Sequence, residues 1–172
     1  MENAQEMVEP AAPDAVFTAD DDLSTLLVKA YQGEVSGEIV FGAVAAATDD
    51  PDHRKKMEVL RLLEARTREA CVPAMERHGL PTDLDPQTVS EAEALGEAVG
   101  PLAWNDFMGA FESITTQFLA LYHRIGEISE ADRVEADLLV AHEEALREFA
   151  RRELAGRGND SLALIEALPH MN

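Results

Sequence analysis

The chain has 172 residues, the size of a single domain with one buried core. Its 34 Asp and Glu against 14 Lys and Arg give a formal net charge of -20, which repels phosphate backbones and anionic membrane surfaces, so no nucleic acid and no membrane is expected as a partner. Hydrophobic residues reach 46% while aromatics make up only 5%, and the abundance of Ala, Leu and Glu favours helix, so the expected class is all-α.

Residues 1–20 mix Glu, Ala, Pro and Asp with few large apolar side chains. They read as a flexible acidic tail ahead of a helical domain over 21–172. No basic residue precedes Lys29, so the start lacks the cationic opening of a secretory signal. The longest apolar run, Ile39 to Ala47, falls short of the roughly 18 residues a membrane span needs. The single cysteine, Cys71, has no partner for an internal disulfide, and the expected location is cytoplasmic.

Apolar residues recur at three and four from Leu23 to Thr48, predicting helix one. Asp49-Asp50-Pro51 then supplies a turn, a cap and a first-turn proline for helix two, which runs to His78 and stops at Gly79. Residues 80–100 form a long connector holding a short helix, with Ser90 and Glu93 in a capping-box spacing. Gly100-Pro101 opens helix three, which reaches about Ile125. Ser129 and Asp132 cap helix four, ending at Ala155, and Asp160-Ser161 starts a short final helix stopped by Pro169. The tight turns make helices one and two, and three and four, antiparallel neighbours. The connector is long enough to run back along helix two, about 40 Å at 1.5 Å per residue.

Several polar residues fall on the apolar stripes. On helix one Glu34 and Glu38 lie within about 20° of the stripe's centre, and on helix two Glu64 lies within about 40° and Thr67 within about 20°. On helix four His142 is central among Leu138, Leu139, Leu146 and Phe149, with Glu143 at the edge. On helix three Glu112 and His123 are marginal. Gly33 and Gly37 read as points of close helix contact. An unpaired buried carboxylate costs several kcal/mol, so it protonates, finds a cation or binds a metal. Inward Glu from separate helices with a nearby His form a hard donor set suited to iron or manganese.

This pattern resembles the ferritin-like superfamily of non-haem di-iron carboxylate and rubrerythrin-like four-helix bundles, over about residues 22–156. The likeness rests on Glu38, on Glu64, on the long crossover between helices two and three and on the His142-Glu143 region. Members carry a Glu on two helices and Glu-x-x-His on the other two. Here Thr67 stands three after Glu64 and Leu146 three after Glu143, where the family has His. The resemblance implies a metal-dependent oxidase or oxygenase, or an iron- or peroxide-handling protein, working on dioxygen, peroxide or a small-molecule substrate and assembling as a homodimer or higher homo-oligomer. The implied ligands are Glu34, Glu38, Glu64, His142, Glu143 and His123, around iron or manganese, with Tyr31 as the catalytic hydrogen-bond or electron donor. The competing expectation is a bundle without metal that binds a small ligand or a protein partner.

Overall fold

The computed structural model describes residues 16–171, and the protein is all-α over them, with no strand. Four long helices, α1 (Leu23–Ala47), α2 (Pro51–Arg77), α4 (Trp104–Ile128) and α5 (Arg133–Leu154), form the bundle, and α3 (Pro86–Val99) lies on the connector. A 3-10 turn (Gly158–Asp160), the four-residue α6 (Ala163–Glu166) and a second 3-10 turn at Pro169–Met171 finish the chain.

Three aspartates set the helix starts. Asp22 accepts the Thr25 N–H at 2.8 Å, Asp50 those of Asp52 and His53, and Asp85 that of Thr88 at 3.0 Å. Pro51 and Pro86 each follow their cap, where a missing N–H costs nothing. The connector helix therefore begins at Pro86, and the expected capping box at Ser90 lies inside it. Gly100 closes α3 instead of opening the next helix. The start of α4 at Trp104 carries no side-chain cap, and the helix passes through Gly126 to Ile128.

The connector runs parallel to α1. Tyr31 donates to the Thr82 carbonyl at 2.9 Å and Gln32 to that of Asp83, while further along a Cβ on Gly96 would stand 2.6 Å from that of Ala43. That approach is one only glycine permits. The chain thus returns to the end of the bundle where α2 began, and α4 runs parallel to α2. Trp104 there stacks on His53 with ring centroids 3.7 Å apart. The order is up, down, down, up.

Part of the expected tail is packed: the Val16 N–H donates to Gln117, Phe17 rests on the core, and the Thr18 hydroxyl donates to Asp21 at 3.0 Å. The rest of that tail lies outside the described residues. Among the described residues no helix is long and apolar enough to cross a membrane.

The core is divided in two. One apolar cluster joins Phe41, Leu60, Leu63, Phe107, Phe111, Leu146 and Phe149. The other joins Leu27, Val35, Met75, Leu121, Ile125 and Leu139. Between them, at mid-height, each long helix contributes buried polar residues: Glu34 from α1, Glu64 and Thr67 from α2, Thr115 from α4, and His142 and Glu143 from α5.

Candidate metal centre

The polar layer holds one tight cluster. Donor atoms of Glu34, Glu64 and His142 all lie within 4.8 Å of one another, and all three residues are buried. The Nε2 of His142 is 3.4 Å from Glu34 Oε2, 3.7 Å from Glu64 Oε1 and 3.8 Å from Glu143 Oε2. Tyr122, buried on α4, donates its hydroxyl to Glu34 Oε1 at 2.8 Å. Four helices thus meet at one point.

Thr67 fixes the histidine. Its one hydroxyl proton goes to the Leu63 carbonyl at 2.9 Å, so its oxygen receives the Nδ1–H of His142 at 3.1 Å. This tautomer leaves a bare lone pair on Nε2, aimed at the carboxyls. The Nε2 of His170, from the C-terminal turn, approaches the same oxygen at 3.1 Å, and Arg66 holds that turn through the carbonyls of His170 and Met171. Gly37 makes room for Glu64, since a Cβ there would stand 2.6 Å from its carboxyl, and Gly33 does the same for Phe118.

Burial dominates the electrostatics. It lifts Glu34 from 4.5 to about 7, against hydrogen bonds from Glu64 and Tyr122 that pull the other way. Burial also holds Glu64 well above its ordinary value, with the neighbouring Glu34 adding to the effect, and it raises Glu143 and Tyr122. His142 is pushed down to about 3 by burial and then by His170. A neutral imidazole therefore faces three carboxyls that resist ionising.

The donor set fits a metal ion. Glu34 Oε2 and His142 Nε2 are both buried with no hydrogen-bond partner, although the two point at each other. Buried polar atoms are rarely left in that condition, and a cation would engage both. The hydrogen bonds from Tyr122 to Glu34 and between Thr67 and His142 are the outer supports that ligating side chains normally have.

Three expected site residues lie elsewhere. Glu38 turns to Arg68 at 3.1 Å with its side chain 28% exposed, because a guanidinium on α2 draws it off the stripe. His123 is exposed on α4, one residue beyond the inward Tyr122. Tyr31 is buried but gives its proton to the connector carbonyl of Thr82, so its hydroxyl anchors the crossover. Tyr122 holds the place expected for Tyr31. It escaped notice in the sequence because an aromatic on an apolar stripe looks like packing, though it stands four after Phe118 and three before Ile125, on the inward face. His170 gave no periodic signal at all.

A cavity of about 890 Å³ opens from this cluster between α1, α3 and α4. Glu34, Glu64, Glu143 and Tyr122 form one part of its wall, and Phe41, Phe107, Phe111, Ile114 and Leu146 much of the remainder. No protein-family model matches the chain, and no curated protein and no solved structure matches it, so the chemistry of the site rests on its own residues and distances.

Proposed function

We propose that the protein is a ferritin-like metal-dependent oxidase or oxygenase whose centre holds iron, or manganese in its place, on Glu34, Glu64, Glu143 and His142. The observation that carries this reading is the pair of orphaned buried atoms, Glu34 Oε2 and His142 Nε2, facing each other beside two further carboxyls. The ferritin-like reading is supported by the up, down, down, up helix order with its long crossover between α2 and α4. With a single nitrogen in the cluster, and with Thr67 and Leu146 where the family has His, one metal suits this site better than two.

A bound Fe(II) or Mn(II) supplies one-electron chemistry toward dioxygen or peroxide. The chain's own residues do the rest. His142 and the glutamates hold the ion, Thr67 keeps the imidazole's lone pair inward, Tyr122 orients Glu34 and stands ready as a proton donor, and the two apolar clusters exclude water.

A second reading has its own support. The raised carboxyls of Glu64 and Glu143 can stay protonated, so the layer is tolerable without a cation, and the protein then serves as a metal-free scaffold around the cavity. One experiment separates the two. Full-length protein purified without chelator, then titrated anaerobically with Fe(II), should bind close to one atom per chain. Glu64→Ala should abolish that binding, and Thr67→Val should weaken it by about 10–100-fold, the usual cost of losing an outer support. Metal content far below one atom per chain, unchanged after Fe(II) addition, would leave only the scaffold.

A further inference from the structure

We infer that the cavity between α1, α3 and α4 binds a straight-chain aliphatic molecule whose polar end is uncharged and lies against Glu34, Glu64, Glu143 and Tyr122.

The shape carries the first half of this inference. Lining residues on α4 run from Phe107 to Tyr122, so the cavity extends about 22 Å along the bundle at 1.5 Å per residue. Its volume of about 890 Å³ is that of a small-molecule site, here drawn out along a helix instead of gathered into a bowl. The walls along that length are mostly the side chains of Val40, Phe41, Phe107, Phe111 and Ile114, which offer no hydrogen bond to a ligand, with Ser36 and Ser113 the uncharged polar residues among them. Leu95 and Val99 of α3 stand at its side, and Leu95 is 49% exposed, giving a path from solvent between the connector and the bundle.

The distribution of polar groups carries the second half. The carboxyls and the Tyr122 hydroxyl gather at the end of α4's lining stretch that is remote from Phe107. A molecule lying along the cavity therefore has one end among hydrogen-bonding groups and the remainder against hydrocarbon. Three carboxyls stand within reach of that end and no Lys or Arg among the described residues lines the cavity, so an anion brought there would have no opposite charge to meet. An alcohol or aldehyde meets donors and acceptors there without that penalty.

The inference deepens the metal-centre reading by naming its substrate class, and it rests on the same carboxyl cluster. Chelator-treated full-length protein keeps the two separable, because chain binding is read without metal and metal binding without chain. Nile red bound in the cavity should be displaced by primary alcohols from hexanol to hexadecanol. Affinity should rise about fourfold per added methylene until the cavity is filled and then level off. Fatty acids of equal length should bind at least tenfold more weakly at pH 8. Ile114→Trp and, independently, Val40→Trp should each weaken dodecanol binding at least tenfold while circular dichroism and Fe(II) content stay as in the parent. Affinity that ignores chain length, fatty acids that bind as well as alcohols, or tryptophan variants that bind dodecanol normally would each overturn the inference. So would concentration-dependent dimerisation lost in both variants, which would assign the groove to a second copy of the chain.

Discussion

Replacing Glu34 by Gln tests whether the polar layer is held at an energetic cost in the metal-free protein. The carboxyl of Glu34 is raised from 4.5 to about 7 by burial. A group raised on folding contributes fully below its unfolded value, and that contribution is lost as pH climbs through the folded one. Between 4.5 and about 7, at about 1.4 kcal/mol per pH unit, the loss is on the order of 3 kcal/mol and is complete by pH 8. Glutamine cannot ionise, so Glu34→Gln should stabilise the metal-free protein by about that amount at pH 8 and by about 0.8 kcal/mol from this source at pH 5.

A second gain is built into the geometry. The new amide nitrogen can take the place of Oε2, 3.4 Å from the bare His142 Nε2, and donate to it, while the amide oxygen keeps the Tyr122 hydroxyl. At pH 5 the parent's own protonated carboxyl can donate to the His142 Nε2, so this gain too falls mainly at pH 8, and the difference between the two pH values reports the ionisation of Glu34. For a chain of this length, about 3 kcal/mol moves the melting temperature by about 6–12 °C. Urea and thermal unfolding of chelator-treated protein at the two pH values give the answer. An equal effect at pH 5 and pH 8, or destabilisation at pH 8, would refute the reasoning. With Fe(II) in excess the gap should close, because only the parent gains the stabilisation of a tightly held ion, about 4.1 kcal/mol at a thousand times its Kd.

Two further substitutions probe the framework of the site. Gly37→Ala pushes a methyl group to 2.6 Å from the Glu64 carboxyl, the free end of a flexible side chain. Stability should change by less than about 1 kcal/mol, with alanine's better helix propensity offsetting the crowding, yet Fe(II) affinity should fall at least tenfold by equilibrium titration; an unchanged affinity would remove Glu64 from the ligand set. Lys56→Met should cost about 3 kcal/mol by urea unfolding, since it leaves the buried Glu153 with only the neutral Trp104 and Ser161 side chains, and adding Glu153→Gln should restore most of the loss.

The sequence made the helices legible because their punctuation is strong: an Asp before a Pro, or a Gly at a helix end, acts locally. It misplaced the connector helix because Ser90 and Glu93 have capping-box spacing, and only the place of Ser90 as the fifth residue of a helix already capped by Asp85 rules that role out. Glu34, Glu64 and His142 were legible for another reason. Each sits at the centre of an otherwise apolar face, where water is excluded whatever the partner helix. Glu38 shares that face within one turn of Glu34, and what turns it outward is Arg68, a residue on another helix that no single-helix projection contains. Glu143 was read at an edge, but α5 is buried over so wide an arc, from Ala136 to Ala150, that its edge is interior. Tyr122 depends wholly on what stands opposite: against leucine it would be packing, and against Glu34 it is a donor.

The ends of the bundle explain how its middle can hold so many groups that resist burial. At one end Lys56 joins Asp52 at 2.5 Å and Glu153 at 2.8 Å, and Trp104 adds a hydrogen bond to Glu153, locking α2, α4 and α5 together. At the other, the wholly buried Asp132 accepts from Arg77, His78 and Ser129, tying the last turn of α2 to the first of α5, with Glu135 completing the Arg77 fork. Burial works against an ionised Asp132, but the bonds from Ser129, His78 and Arg77 outweigh it and hold the carboxyl below its ordinary value. At both ends each buried charge therefore has an opposite charge against it, with an apolar cluster packed next to it. In the mid-layer Glu34 Oε2 and His142 Nε2 face each other without hydrogen-bond partners, and there the cavity opens between α1 and α4. A fold that sets its buried end charges against opposite charges and leaves two facing atoms orphaned beside a cavity has placed that unsatisfied pair where a ligand can approach.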